Sequence, residues 1–342
     1  MDRKILKNNK DIYSLIRETQ FEEYMQEKSK IEIMHTKPES KVYRIMFNNI
    51  DAEIKSIIIK INQKTAEREY RILTYLQKQR FNVPLIYHYN NKKQMLFLQD
   101  LGNKNLEYEF KKDKNMYKRA IEQLAHIHCN GLENWHDLIS TLPELNKKMN
   151  LPDLIDHLKQ INTKRIFDLI GDQISTLHKK ELYENIAKLV SYIFFNNRSN
   201  YDNRIKSELI VKDLKPHHFI ISNNKLYIID IEIMSFNSIP QDDLVSLLEH
   251  PLNGFSNDEK KELLIYYIEY RRKLKHPIKN VINFYKTYYF YCLQYIIFYA
   301  FASIKKFELK KNLLEYILSS IVYDDEILNR IKNIIMHYYI EK

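Results

Sequence analysis

Residues 207–234 read SELIVKDLKPHHFIISNNKLYIIDIEIM, and this stretch decides the fold. Asp213 follows the apolar run Leu209-Ile210-Val211 in a polar loop. Five residues on, His218 leads into Phe219-Ile220-Ile221, whose β-branched and aromatic content predicts a strand. The Asn223-Asn224 pair predicts a tight turn, and Leu226-Tyr227-Ile228-Ile229 brings the chain back to Asp230. A short hairpin of this kind has Asp213 and His218 at one end of its first strand and Asp230 at the end of its second. Both ends lie on the same side, so two carboxylates and an imidazole are expected to converge. Phosphoryl transfer needs such a set: one carboxylate to orient an acceptor hydroxyl and take its proton, and ligands for a metal that neutralises phosphates.

Outward from the hairpin, the first hundred residues predict strands around a single helix. KVYRIMFNN (41–49) and IKSIIIKIN (54–62) read as strands, separated by the turn signal Asn48-Asn49-Ile50-Asp51. TAEREYRILTYLQKQ (65–79) has helical spacing and ends at the breaker Asn82-Val83-Pro84. LIYHYNN and QMLFLQDLG (85–102) are two more strand-like pieces, joined at Asn90-Asn91. Residues 1–35 read as helical, with Ile12, Leu15 and Ile16 at helical spacing and Phe21, Tyr24 and Met25 repeating it. Beyond about residue 115 the pattern is mainly helical, interrupted by the 207–234 hairpin. The expected architecture is α+β and bilobal: a small β-rich lobe over 1–101, including the helical segment 1–35, and a large mainly helical lobe over 102–342.

The segment IVKDLKPHHFIISNNKLYIIDIE resembles the catalytic loop and metal segment of the aminoglycoside phosphotransferase and choline kinase superfamily, which shares the protein-kinase-like fold. The family pattern is H-x-D-x-x-x-x-N, a hairpin, then I-D-[FW]-[GE]. The resemblance implies that Asp213 is the catalytic aspartate and Asp230 the metal-binding one, with Glu232 at the acidic position two residues later. It assigns to Lys60, late in the strand IIIKI, the lysine that contacts nucleotide phosphates. The helix at 65–79 should supply that lysine's carboxylate partner, and Glu69 shares a face with Ile72, Leu73 and Leu76 whereas Glu67 does not. MLFLQDLG resembles the strand-to-hinge segment L-L-x-E-D-L-G, so backbone groups around Gln99, Asp100 and Leu101 are expected to meet the adenine. LAHIHCNG (124–131) resembles the L-A-x-L-H helix, and PQDDLVSLL the P-x-x-D-L-A stretch, with Asp243 at its aspartate; a helix N-cap near Asp242 or Asp243 is the alternative reading.

Three positions depart from the pattern. His218 stands where the family has asparagine, a substitution shared with the lipopolysaccharide core sugar kinases (D-x-x-x-x-H-F), and is expected to join Asp230 at the metal. Val211 replaces the leading histidine. The phosphate-covering loop around HTKPES (35–40) has no glycine. The implied activity is transfer of the γ-phosphate of ATP (or GTP), with Mg2+ or Mn2+, to a hydroxyl of a small molecule. A nucleotide-binding protein without turnover and a sugar kinase of cell-envelope glycans stay open as alternatives.

Composition narrows the class without deciding it. The 342 residues are ample for two or three domains, and a net charge of +10 is compatible with an anionic ligand. Four glycines exclude collagen-like and Gly-rich readings, and two cysteines are too few for a disulfide framework, which fits a cytoplasmic protein. Lys-rich runs such as Lys111-Lys112-Asp113-Lys114 read as solvated faces, and no module for nucleic acid accompanies them. MDRKILKNNKDIYSLIRETQ lacks the apolar core of a signal peptide. The uncharged stretch from Thr287 to Ile304 reaches the length of a membrane span, but Tyr291, Tyr295 and Tyr299 recur at i+4 as on a buried helix of a water-soluble lobe, so no span is expected. His126 and His128 sit two apart on a helix and face different sides, against a zinc site.

Overall fold

The structure is a computed structural model that describes residues 5–6, 16, 19–22, 29–47, 53–146, 176–196, 206–236, 239–250, 253–302 and 325–339. The chain divides into two compact units: Met1–Asn105 with His218–Glu232, and Leu106–His217 with Ile233–Lys342. The first is built on sheet and the second on helices, an α+β architecture.

The first unit holds a six-stranded antiparallel sheet in the order β1-β2-β3-β4-β6-β5. Its strands are β1 (Ile5–Leu6), β2 (Lys30–Lys37), β3 (Ser40–Met46), β4 (Ser56–Asn62), β5 (Ile86–Asn90) and β6 (Met95–Gln99). One face of the sheet buries Ile31, Ile45, Ile57, Ile59, Met95 and Phe97 together with Ile16 and Phe21. Each such side chain contributes about 1.5–3 kcal/mol by leaving water. Strand alternation turns Lys60 away from Ile57 and Ile59, toward helix α1 (Ala66–Lys78). That helix buries Glu69, Ile72, Leu73 and Leu76 on one face and leaves Glu67 exposed, as its periodicity requires.

The helical expectation for residues 1–35 is corrected here. Ile5–Leu6 and Lys30–Lys37 are strands, and Ile31 lies in the sheet core. KIEIMHTK has isoleucines two apart, and pairing of β2 with β3 decides the conformation that local spacing left ambiguous. The segment expected to cover phosphates ends in a two-residue turn at Pro38-Glu39, between the paired Lys37 and Ser40. Most of the remaining stretch before residue 29, the turn at 48–51, and the side chains of Tyr295 and Tyr299 lie outside the described residues.

The hairpin expected at 207–234 forms as β7 (Phe219–Ser222) and β8 (Lys225–Ile228). Asn223 and Asn224 take φ of 49° and 61°, the left-handed pair that a two-residue turn demands and asparagine tolerates. Backbone bonds from Ile221 to Lys104 and from Ile228 to Asn82 tie this hairpin into the first unit. Leu209-Ile210-Val211 is not a strand; Ile210 exchanges a pair of backbone hydrogen bonds with Ser235.

Described helices of the second unit are α2 (Lys114–Glu133), α3 (Trp135–Thr141), α4 (Thr176–Asn196), α5 (Pro240–Leu248), α6 (Asn257–Lys273), α7 (Val281–Ala302) and α8 (Glu326–Tyr339). α2 packs on α6, α5 on α7, and α4 on α8. Asp113, inside the basic run at 111–114, is the N-cap of α2 and accepts from the amides of Asn115 and Met116. None of the described helices is long and apolar enough to cross a membrane.

One close approach fixes the entry to the Asp213 loop. A Cβ at Gly131, near the end of α2, would lie 2.6 Å from the Ser207 carbonyl oxygen and would collide with the Leu209 amide. Backbone atoms cannot yield as side chains do. Gly131→Ala is therefore expected to destabilise the protein by about 1–3 kcal/mol despite the helical gain of alanine, measured as a lowered urea midpoint with unchanged slope.

Candidate active site

Lys60 is the centre of the first unit's polar cluster. Its ammonium is 2.8 Å from Glu69 Oε2, 2.7 Å from Asp230 Oδ1, and bonded to Glu232 Oε2. The strand, the α1 helix and the end of the β7–β8 hairpin thus deliver four side chains to one point. Burial opposes the charge on Lys60, but Glu69, Asp230 and Glu232 outweigh it and raise its pKa above the ordinary lysine value. Burial pushes the Glu69 carboxyl up, with Lys60 pulling it back. Asp230 also pays for burial, yet Lys60 and then His218 hold its pKa down at about 2.

Of the residues singled out in the sequence, Lys60, Glu69 and Asp230 are together, and His218 is beside them. His218 Nε2 is 3.6 Å from Asp230 Oδ2, too long for a hydrogen bond but close enough for both atoms to reach one ion. Glu69, Asp230 and Glu232 each bring a carboxylate oxygen within 4.8 Å of the others, a hard oxygen set that suits magnesium. Asp230 itself takes φ of 62°, unusual for a residue with a side chain.

Gln99, Asp100 and Leu101, expected to meet the adenine, divide their roles. Gln99 ends β6 opposite Ile57, and its amide donates to Leu85 O at 2.8 Å. Asp100 is committed through its side chain: Arg44 Nε and Nη2 reach its two oxygens at 2.8 and 2.9 Å. The same carboxylate accepts from the Gly102 amide, and Arg44 donates to Gly102 O, so the turn after β6 is locked at a glycine with φ of 85°. Leu101 is buried.

Asp213 belongs to the second unit. Its half-exposed carboxylate is 3.0 Å from Lys215 Nζ. Lys212 and Asp213 have φ of 64° and 48°, two consecutive non-glycine residues in the left-handed region, a conformation that costs on the order of 1–3 kcal/mol per residue. Asp243 supplies the restraint. Fully buried inside α5, it accepts from the Val211 amide at 2.8 Å and the Lys212 amide at 2.7 Å. The N-cap alternative for Asp243 is corrected: Ile239 is the N-cap, and Asp243 lies four residues in, turned toward the loop.

Behind Asp243 runs a buried chain of polar groups. His128 Nε2 is 3.0 Å from Asp243 Oδ2, and His128 Nδ1 is 2.8 Å from the Tyr267 hydroxyl. Arg271 donates to that hydroxyl at 2.8 Å and pairs with Glu208. One proton arrangement satisfies every partner: Arg271 donates to Tyr267, Tyr267 to His128 Nδ1, and His128 Nε2–H to Asp243. His128 of α2 thus brings an imidazole to the carboxylate that holds the Val211 and Lys212 amides. Sequence reading placed His128 in the L-A-x-L-H-like helix and weighed it against a zinc site, without its contact to Asp243. Its helical phase with Ile121, Leu124 and Ala125, all buried, was the signal that it points inward.

A lysine on a strand, a glutamate on the following helix, an aspartate after a hairpin and a strained aspartate loop are parts of the protein-kinase-like fold. Comparison with solved structures agrees on that fold. The ADP-bound aminoglycoside phosphotransferase APH(2'')-Ib superposes with a TM-score of 0.52 at 14% identity, covering 96% of this chain and 99% of its own. A choline/ethanolamine kinase family protein from Mesorhizobium loti gives a TM-score of 0.56 at 12% identity, over 96% and 98% of the two chains. The GDP complex of aminoglycoside 2'-phosphotransferase-IIIa gives 0.54 at 17% identity, over 92% and 98%. No family model matches the sequence, and no curated protein is significantly similar to it.

Removing the Asp243 carboxylate would strand two buried amides and an imidazole and release a strained loop. Asp243→Ala should cost on the order of 3 kcal/mol or more in chemical unfolding. Glu262→Ala, which breaks only exposed pairs with Lys114 and Lys118, should cost less than about 1 kcal/mol in the same assay.

Proposed function

We propose that this chain is a phosphotransferase that moves the γ-phosphate of ATP or GTP, with a divalent metal, to a hydroxyl of a small molecule. The observation that carries the reading is the meeting of Lys60, Glu69, Asp230 and Glu232, which come from three separate stretches of sequence. In this reading Lys60 binds the nucleotide phosphates and Glu69 keeps its ammonium aimed. Phosphate oxygens would take over the contacts that Asp230 and Glu232 make to Lys60, leaving those two carboxylates and His218 to hold the metal. Magnesium, when bound, supplies charge neutralisation on the phosphates. Backbone groups of Asp100 and Leu101 meet the adenine. Asp213 accepts the proton of the acceptor hydroxyl and orients its oxygen, with Lys215 beside it to steady the charge. Positioning and electrostatics would provide most of the rate. The acceptor classes to test first are those named for the structural neighbours, aminoglycosides and choline or ethanolamine. Both free cysteines are buried thiols, in keeping with work in the reducing cytoplasm.

Thermal shift with nucleotide and metal tests binding. ATP or GTP with Mg2+ should raise the melting temperature, and Asp230→Ala should weaken the metal-dependent part of that rise. If neither nucleotide shifts the curve at millimolar concentration with Mg2+ or Mn2+, the reading fails. On an acceptor the wild type phosphorylates, Asp213→Asn should keep nucleotide binding and lower turnover by on the order of a hundredfold or more. His218→Asn should move the preference from Mn2+ toward Mg2+, because an amide oxygen is a harder donor than imidazole.

A further inference from the structure

The Lys60 cluster is not the only convergence of metal-ligating side chains. Within the second unit, Glu107, His217 and His250 bring a carboxylate oxygen and two ring nitrogens within 4.8 Å of one another. They share no residue with the nucleotide–metal site proposed above. Glu107 comes from the segment just past the hinge, His217 from the short 3-10 turn after Asp213, and His250 from the residue pair that follows α5.

We propose that Glu107, His217 and His250 form a second metal site, for a first-row divalent cation with zinc as the best match. His217 Nδ1 is 2.9 Å from Glu107 Oε2, and His250 Nε2 is 3.9 Å from Glu107 Oε1. In a tetrahedral zinc site with bonds of about 2.0–2.2 Å, neighbouring ligand atoms are about 3.2–3.6 Å apart. The two observed separations bracket that value, so small side-chain rotations bring all three atoms onto one ion. The imidazole planes are inclined at 76° with ring centroids 6.2 Å apart, which lets both rings point a nitrogen at a common centre without stacking.

Donor chemistry decides the class of ion. Two imidazoles and one carboxylate favour zinc, cobalt or nickel over magnesium and calcium, which take oxygen donors. Burial adds the shape of the site. The Glu107 and His250 side chains are 7% and 2% exposed, whereas His217 is 38% exposed. Two ligands are fixed in the interior and the third closes the site from the solvent side, leaving a fourth position for water. A cation there would pin the end of the Asp213 loop to the segment after the hinge and to the end of α5.

The test uses the full chain with Zn2+ and Co2+ alone, without nucleotide. One equivalent of Zn2+ should bind per chain in the presence of millimolar Mg2+ and raise the melting temperature. Co2+ in its place should give the visible absorption of a four-coordinate nitrogen–oxygen site. His217→Ala, at a half-exposed position, should abolish the Co2+ spectrum. It should weaken Zn2+ binding by more than the ~10–100-fold that loss of an outer partner costs. Glu107→Gln should weaken binding likewise, while Asp230→Asn should leave it unchanged. No bound Zn2+, or equal binding by wild type and His217→Ala with circular dichroism showing both folded, would overturn the assignment and leave a metal-free hydrogen-bonded cluster. Loss of binding in Asp230→Asn alone would overturn it too, by locating the ion at the Lys60 cluster.

Discussion

The first unit depends on one buried ammonium. Lys60 is 8% exposed and faces three carboxylates, and an unpaired charge at that depth would cost several kcal/mol. Each partner is there for a separate local reason. Strand alternation turns Lys60 away from the isoleucine core, helical phase turns Glu69 inward, and the Asn223-Asn224 turn returns the hairpin so that Asp230 and Glu232 arrive together. Shifting any one element by a residue would rotate its side chain off the cluster, as one-residue slips do in strands. The electrostatics therefore acts as a register check on three elements at once.

A second constraint governs the Asp213 loop, and it works through backbone rather than charge. Lys212 and Asp213 occupy a conformation that neither favours, and such strain persists only where the surroundings over-determine it. Asp243 does so with both carboxylate oxygens, and His128, Tyr267, Arg271 and Glu208 hold Asp243 in turn. Because every member of that chain is satisfied, the network is rigid; a half-satisfied one would be worse than apolar packing. Gly131 completes the arrangement by letting residues 207–209 run against α2.

Sequence reading reached the elements whose signal is local. Glu69 was legible from helical phase and Asp230 from the two-asparagine turn that brings it to the hairpin end, whereas Lys60 was singled out by the resemblance of its strand to a lysine-bearing strand of the kinase-like family. The strand Lys30–Lys37 was not legible, since isoleucines two apart in a short segment fit either a strand edge or one flank of a helix, and pairing with β3 decides between them. The contacts of Asp243 and His128 escaped: Asp243 binds the Val211 and Lys212 amides, which carry no sequence signal, and His128 binds Asp243 and Tyr267, which lie far away in the chain. Asp100 was noticed for its backbone alone. Its side-chain bond to Arg44, 56 residues away, is a long-range choice that composition cannot rank.

Formal charge around Lys60 bears on why the proposed function pairs a metal with the nucleotide. One ammonium faces three carboxyl groups; Lys60 and His218 hold the Asp230 pKa down at about 2, while burial pushes the Glu69 carboxyl up. A nucleotide triphosphate arriving alone would compete with Asp230 and Glu232 for the same ammonium while adding negative charge to a site already rich in it. Under the proposed function a divalent cation would remove that conflict, because the two displaced carboxylates would become its ligands and the phosphates its counter-charge. In that proposal His218, which must be neutral to ligate a metal, would add a donor beside Asp230 without adding charge. By linkage, a cation that strengthens nucleotide binding must itself be held more tightly when nucleotide is present. In the proposed function the carboxylate excess would thus couple the two ligands, and the buried lysine is what lets those carboxyl groups gather in the protein alone.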